Sequence, residues 1–180
     1  MTDLIPRLSS GQMPPELAEY LRPRVERLGY LGEFFQCAAH QPKALMSFMS
    51  FTEDLKEALP DNLTEVVALS VATLMGNAYE RVQHERLSLK LGFSRDWVRE
   101  VISSAGNGHL MSAPELAVQK LALAIIERRG HNTADELEAV IESIGHETAI
   151  AVMMLIGRYV THALMVNCLE LAPQVGSPLA

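Results

Sequence analysis

The chain has 180 residues, 48% hydrophobic and 21% charged, with a formal net charge of −7 at pH 7. That length suits one domain with a sizeable core. The acidic balance and the lack of any basic cluster exclude nucleic acid and anionic membrane as expected partners. Only 6% of residues are aromatic and nine are methionine, so a core of Leu, Val, Ala and Met is expected, as helix packing allows. The N-terminus, MTDLIPRLSSGQMPPEL, has no basic stretch followed by an apolar run and does not read as a signal peptide; the expected location is cytoplasmic. Cys37 and Cys168 belong to no paired motif and lie in apolar helical text. Buried free thiols are the expectation there, ahead of a disulfide.

In chain order, Met1 to Met13 read as an irregular arm. Pro14-Pro15 opens a helix with Leu17, Tyr20 and Leu21 inward, which Pro23 kinks or ends. A helix from about Leu31 to His40 turns Phe34, Phe35 and Ala38 inward, and another runs from Pro42 to about Leu59. Pro60-Asp61-Asn62 punctuates the chain before the core stretch, residues 64–94. Ser94 caps a helix holding Trp97, Val98 and Val101, and residues 104–108 form a loop. Ser112 with Glu115, and Thr133 with Glu136, are two capping boxes; they open helices to about Arg129 and Ile144. The last helix starts near Glu147, runs to about Leu171 and contains AIAVMMLIG. That run is too short to span a bilayer, and Arg158 follows it. Residues 173–180 form a tail. No strand signal is visible, so the expected fold is all-α, a single-domain helical bundle over residues 1–180.

The core stretch, TEVVALSVATLMGNAYERVQHERLSLKLGFS, reads as two helices broken at Gly76-Asn77. In the first, Val66 to Met75 places apolar residues around the whole circumference at ~100° per residue, which predicts burial on all sides. Glu65 shares a face with Leu69 and Ala72. In the second, Glu80 and His84 are neighbours four apart on the arc of Leu87 and Leu91, with Ala78, Val82 and Leu89 nearly opposite. A helix apolar on two sides is an interior or interface helix.

This stretch resembles the carboxymuconolactone decarboxylase and alkylhydroperoxidase D superfamily. In the peroxidase branch two cysteines precede a histidine by seven and four residues, and a glutamate lies twelve before the first cysteine. Counted back from His84, the cysteine positions hold Asn77 and Glu80, and the glutamate position holds Glu65. Leu91-Gly92 also fits, and Tyr79-Glu80…His84 resembles the cysteine-free, decarboxylase-like branch. The resemblance implies the fold, a homo-oligomer and a small-molecule substrate.

A carboxylate and an imidazole in a half-dry site move protons near neutral pH. With both thiols gone, cysteine peroxidase chemistry lacks its reactant. What remains suits decarboxylation or double-bond migration in a small unsaturated acid or lactone, with no cofactor. The expected catalytic residues are Glu80 and His84 as the proton-transfer pair and Glu65 as orienter or base. The expected substrate-binding residues are Arg158, as carboxylate anchor unless it only pairs with a core glutamate, Tyr79 and His162; Tyr159 reads as lining the same cavity or, ahead of that, as core.

Other readings stand beside this one. Asn77 with Glu80, and Asn62 with Glu65, are themselves capping-box spacings, and Glu80 with His84 is an ordinary helical pair. A peroxidase-like antioxidant protein would need Cys37 or Cys168. A non-catalytic helical oligomeric binding protein would leave both glutamates on helix caps and open no cavity beside His84. A carboxylate–histidine metal site from Glu65, Glu80 and His84 has no further ligand spacing behind it, and no metal is expected. His40 and His162 read as core histidines, and His109, His131 and His146 as surface.

Overall fold

The structure, a computed structural model, describes residues 4–103, 106 and 108–180. Residues 1–3 of the expected arm, and 104, 105 and 107 of the expected loop, lie outside the described residues. The fold is all-α, with eight α-helices and no strand among the described residues. The chain groups into two compact units, residues 1–53 and 54–180.

In the first unit the arm contains a short helical turn, Ser10–Gln12. Helix α1, Pro15–Leu28, buries Leu17 and Leu21 and runs through Pro23 instead of ending there. It stops at Gly29, whose left-handed backbone (φ 81°) lets its N–H reach the Val25 carbonyl at 2.8 Å. The proline sacrifices one bond, to the Glu19 carbonyl. Helix α2, Glu33–Ala38, buries Phe34 and Cys37, while Phe35 and Ala38 are only half-buried. His40 is exposed in the turn that follows, its Nε2 2.8 Å from the Pro6 carbonyl. It is therefore not a core histidine: α2 ends two residues short of it, so the helical spacing that pointed it inward does not apply. Helix α3, Pro42–Glu57, starts here and continues into the second unit.

The second unit is organised around α4, Asp61–Leu74. Every residue from Leu63 to Ala72 is buried, as an all-round apolar helix requires; burial stops before Leu74, which is 37% exposed. Helices α5 (Ala78–Lys90), α6 (Arg95–Ser103), α7 (Ala113–Glu127) and α8 (Ala134–Cys168) all pack on it. Gln119 of α7, fully buried, donates to Ser70 Oγ of α4 (3.3 Å) and to the Val101 carbonyl of α6 (3.0 Å).

The caps fall partly as the sequence indicates. Ser94 Oγ accepts the Trp97 N–H at 3.1 Å, and the Ser112–Glu115 box forms, with the Ser112 N–H donating to Glu115 at 2.6 Å. The other oxygen of Glu115 accepts from Asn62 at 2.8 Å, so Asn62 joins two helix starts and does not serve Glu65. The Thr133–Glu136 box does not form. The Thr133 hydroxyl turns to the Gly130 carbonyl, and Glu136 pairs with Arg128 at 2.9 Å, a stronger partner for a carboxylate than a backbone amide. Near the described end of the 104–108 loop, the Glu100 carboxylate gathers the N–H groups of His109, Leu110 and Met111 (2.8–3.0 Å). A Cβ on Gly108 would meet that carboxylate at 2.1 Å.

Helix α5 differs from its expected stripe. Leu91 is 42% exposed and Leu87 half-buried, whereas His84, Glu85 and Ser88 are buried. Its inner face is polar, because its neighbours supply partners for those groups. Helix α8 is broken at Gly145 (φ 78°, ψ 167°) into stretches 134–144 and 146–168, the break the sequence indicates. By length and composition alone α8 is long and apolar enough to cross a membrane, yet 56% of its most apolar window is buried within the protein. Neither cysteine is in a disulfide; Cys37 is buried as expected, whereas Cys168, at the end of α8, is exposed. The tail is fastened to this unit by Ser177 Oγ on Glu85 (2.5 Å) and Arg95 on the Pro178 carbonyl (2.6 Å).

Candidate active site

Three helices of the second unit converge on one buried polar cluster. Glu65 comes from α4, the one acidic side chain in the buried run from Leu63 to Ala72. Glu80, His84 and Ser88 come from α5, at intervals of four that stack them on one face. Arg158, Tyr159 and His162 come from α8 and are buried there in an otherwise apolar helix.

Glu65, 1% exposed, is fully occupied on one oxygen. Its Oε2 lies 2.9 Å from His84 Nδ1 and accepts the Ser88 hydroxyl at 2.9 Å. The other ring nitrogen, His84 Nε2, lies 3.0 Å from the Tyr159 hydroxyl and 3.4 Å from Glu80 Oε1. Glu80 in turn is 3.5 Å from Arg158 and, through its second oxygen, 3.5 Å from His162 Nδ1. Asn77 Nδ2 approaches the same His162 nitrogen at 3.5 Å. The Tyr79 ring lies 6.3 Å from the His162 ring, centroid to centroid. All six residues singled out in the sequence thus fall in one cluster.

The capping question is answered by geometry. Asn77 does cap α5, its side chain accepting the Glu80 N–H at 3.0 Å. The return bond of a box is not made: the Asn77 N–H goes to the Ala72 carbonyl, and the Glu80 carboxylate points at His84. Glu65 likewise reaches across to α5, the helix start being Pro60. Among the described residues no group of three His, Cys, Asp or Glu is arranged to hold a metal ion.

Three residues of the cluster were not among the expected site residues: Ser88, Asn77, and Tyr159, which the sequence offered only as lining the cavity or packing in the core. Ser88 carries a signal, being four residues after His84 on the same face. Tyr159 follows Arg158 directly but sits 75 positions from the ring it touches, and no local spacing connects them.

The charges are set by burial working against partners. Burial alone would raise the Glu65 carboxyl; the His84 imidazole, Lys56 and the Ser88 bond outweigh it and hold it below its ordinary value. Burial also opposes ionisation of Glu80, yet His162, His84 and Arg158 keep it well below the ordinary range. For His84 burial favours the neutral ring, but the two carboxylates prevail and raise its pKa. His162 goes the other way. Burial, with the Arg158 and His84 charges, outweighs Glu80 and lowers it to about 4. At neutral pH two carboxylates therefore flank an imidazole that binds its proton more tightly than usual, while the second histidine is neutral with Nδ1 toward the Asn77 amide.

The His162 shift makes a stability prediction. Between its ordinary value of 6.5 and about 4, the unfolded chain binds a proton that the folded chain refuses. Stability therefore falls on acidification through that window, by about 3 kcal/mol at ~1.36 kcal/mol per pH unit. His84, whose pKa is raised, adds an opposing slope that fades within about a pH unit below 6.5, and the lowered carboxylates act mainly below about 4.5. Urea unfolding between pH 6.5 and 4.5 should show this slope in the wild type and a flatter one in His162→Gln; equal slopes contradict it.

Residues 42–115 match the carboxymuconolactone decarboxylase family. The fold is similar to the alkylhydroperoxidase AhpD core of a peroxidase-related protein from Ralstonia eutropha, with a TM-score of 0.83 at 15% identity, covering 94% of this chain and 90% of that one. It is similar also to a variant of the debrominase Bmp8 in complex with 2,3,4-tribromopyrrole (TM-score 0.84, 15% identity, 97% and 94% covered). A peroxidase-related protein from Silicibacter gives 0.81 at 13% identity over 98% and 95%. No curated protein matches the sequence. These structures share the fold, and the segment that matches the family, residues 42–115, contains Glu65, Glu80 and His84.

Proposed function

We propose that this protein is an acid–base catalyst of the carboxymuconolactone decarboxylase type, acting on a small unsaturated organic acid or lactone and working as a homo-oligomer. The observation that carries the reading is His84 held between two carboxylates, Glu65 at Nδ1 (2.9 Å) and Glu80 at Nε2 (3.4 Å), inside the matched segment. A carboxylate acceptor at Nδ1 fixes the ring's orientation and keeps that nitrogen protonated, so proton exchange takes place at Nε2. Glu80 is the more accessible of the three, its side chain 13% exposed against 6% for His84 and 1% for Glu65. It is the group placed to meet substrate, with Arg158 beside it as anchor for a substrate carboxylate.

In a decarboxylation the bond from the substrate's carboxyl carbon to its neighbour breaks. The electron pair passes into the conjugated system and carbon dioxide leaves. The carbanionic carbon then takes a proton from His84 by way of Glu80, and solvent restores it. In an isomerisation Glu80 removes a proton from one carbon and returns it to another, while the Arg158 charge stabilises the enolate-like intermediate. A thiol mechanism finds less support: Glu80 stands where the resemblance places the cysteine nearer the histidine.

Assembly is supported by α8, whose exposed side carries Ile150, Met154 and Leu164, 56%, 46% and 57% exposed. An apolar groove of about 650 Å³, lined by Met75, Ile125, Met153 and Leu164 among others, runs beside it and shares no residue with the acid–base cluster. A lone copy leaves that surface in water.

Two measurements test the proposal. Small unsaturated acids and lactones are incubated with the protein and followed by ultraviolet absorbance for loss or migration of the double bond. His84→Ala should lower turnover by about 10²–10⁴-fold. Glu65→Gln removes a charge that raises the His84 pKa, so the basic limb of its pH–rate profile should move to lower pH. Turnover unaffected by both substitutions contradicts the reading. In sedimentation equilibrium the chain should exceed its monomer mass of 19.8 kDa, and Leu164→Glu should shift it toward monomer; a wild-type monomer at micromolar concentration contradicts assembly.

A further inference from the structure

Each neighbour of His84 imposes a different requirement on the ring. Ionised Glu65 only accepts hydrogen bonds, so Nδ1 keeps its proton whether the ring is charged or neutral. Nε2 is the nitrogen whose state changes, and it faces two oxygens, Tyr159 at 3.0 Å and Glu80 at 3.4 Å. Glu80, also ionised, accepts from the charged ring but offers nothing to the lone pair of the neutral ring. A phenol hydroxyl does both: it accepts from Nε2–H and donates to a bare Nε2. The Tyr159 ring is fixed for this task, edge-on to the imidazole (centroids 5.3 Å apart, 85° between planes), with the Arg158 guanidinium 4.5 Å over its face. It is 2% exposed, and burial keeps its hydroxyl protonated far above neutral pH.

We infer that Tyr159 is a positioning residue: its hydroxyl holds His84 in one orientation through both protonation states, so that the Nε2 proton is exchanged with Glu80 and no other group. Among the described contacts of Nε2, the hydroxyl is the group that donates to the neutral ring, where Glu80 only accepts. The last step, exchange with Glu80 during turnover, rests on the acid–base reading; the control of the His84 ring does not. The groups that bear on the ring are Glu65 with Ser88 and Lys56 behind it, Glu80, Arg158 and His162. Removing the Tyr159 hydroxyl changes none of their charges. It leaves neutral Nε2 facing a carboxylate alone, which disfavours the neutral ring.

The test is a ¹⁵N-histidine NMR titration of the full chain, with the His84 signals identified by their loss in His84→Ala. In the wild type the neutral ring should be protonated on Nδ1, with a hydrogen-bonded Nε2. In Tyr159→Phe the titration midpoint should rise by about half a pH unit or more, and the neutral Nε2 shift should move toward that of a free nitrogen. Identical midpoints, or a wild-type ring protonated on Nε2 when neutral, overturn the inference. If Tyr159→Phe fails to fold by circular dichroism, the wild-type tautomer decides. Absence of turnover with the titration as expected counts against the proposed reaction and not against this role of Tyr159.

Discussion

The hydrogen bond between Glu65 and His84 is the constraint on which the second unit depends. Glu65 sits in a helix buried on every side, and an unpartnered carboxylate there would cost several kcal/mol or stay protonated. Its 2.9 Å contacts to His84 and Ser88 remove that penalty, but only if α5 presents residues 84 and 88 to α4 in one register. The polar face of α5 follows from this requirement. So does the turn at Gly76-Asn77, where a left-handed glycine (φ 65°) ends α4 and Asn77 starts α5 three residues before Glu80.

With His84 anchored through Nδ1, the other groups arrange themselves around Nε2. Glu80 comes within 3.4 Å of Nε2 because it lies one turn earlier on the same helix, and α8 delivers Tyr159, Arg158 and His162 to the same place. A negative charge at Glu80 demands the cation at Arg158, and Arg158 together with burial leaves His162 neutral. Where the peroxidase pattern has the cysteine nearer the histidine, this chain has the Glu80 carboxylate, with the Glu65–His84 pair beside it.

Much of the fold and the site was legible in the sequence, for identifiable reasons. The all-apolar run from Val66 forces a central helix whatever surrounds it, and Ser94, Ser112 and Gly145 act within a few residues of themselves. The pairing of Glu80 with His84 is likewise local. Pro23 does not end its helix, because a helix survives one lost bond, and Thr133 misled because Arg128 competes for Glu136. The leucines of α5 misled because a helix can bury its polar face when a neighbour supplies partners. Whether Glu65 and Glu80 cap their own helices or reach across to another was decided by packing, which spacing does not carry. The contact of Tyr159 with His84 was hidden for the same reason, since the two meet only once α8 lies against α5.

The central claim is that this cluster moves protons to and from carbon. The most direct measurement is deuterium incorporation, by NMR, into small unsaturated acids incubated in heavy water with the wild type and with His84→Ala. The account predicts incorporation at an exchangeable carbon with the wild type and loss of it in the variant. Equal incorporation in the two, or none across the series with folded wild type, would contradict it.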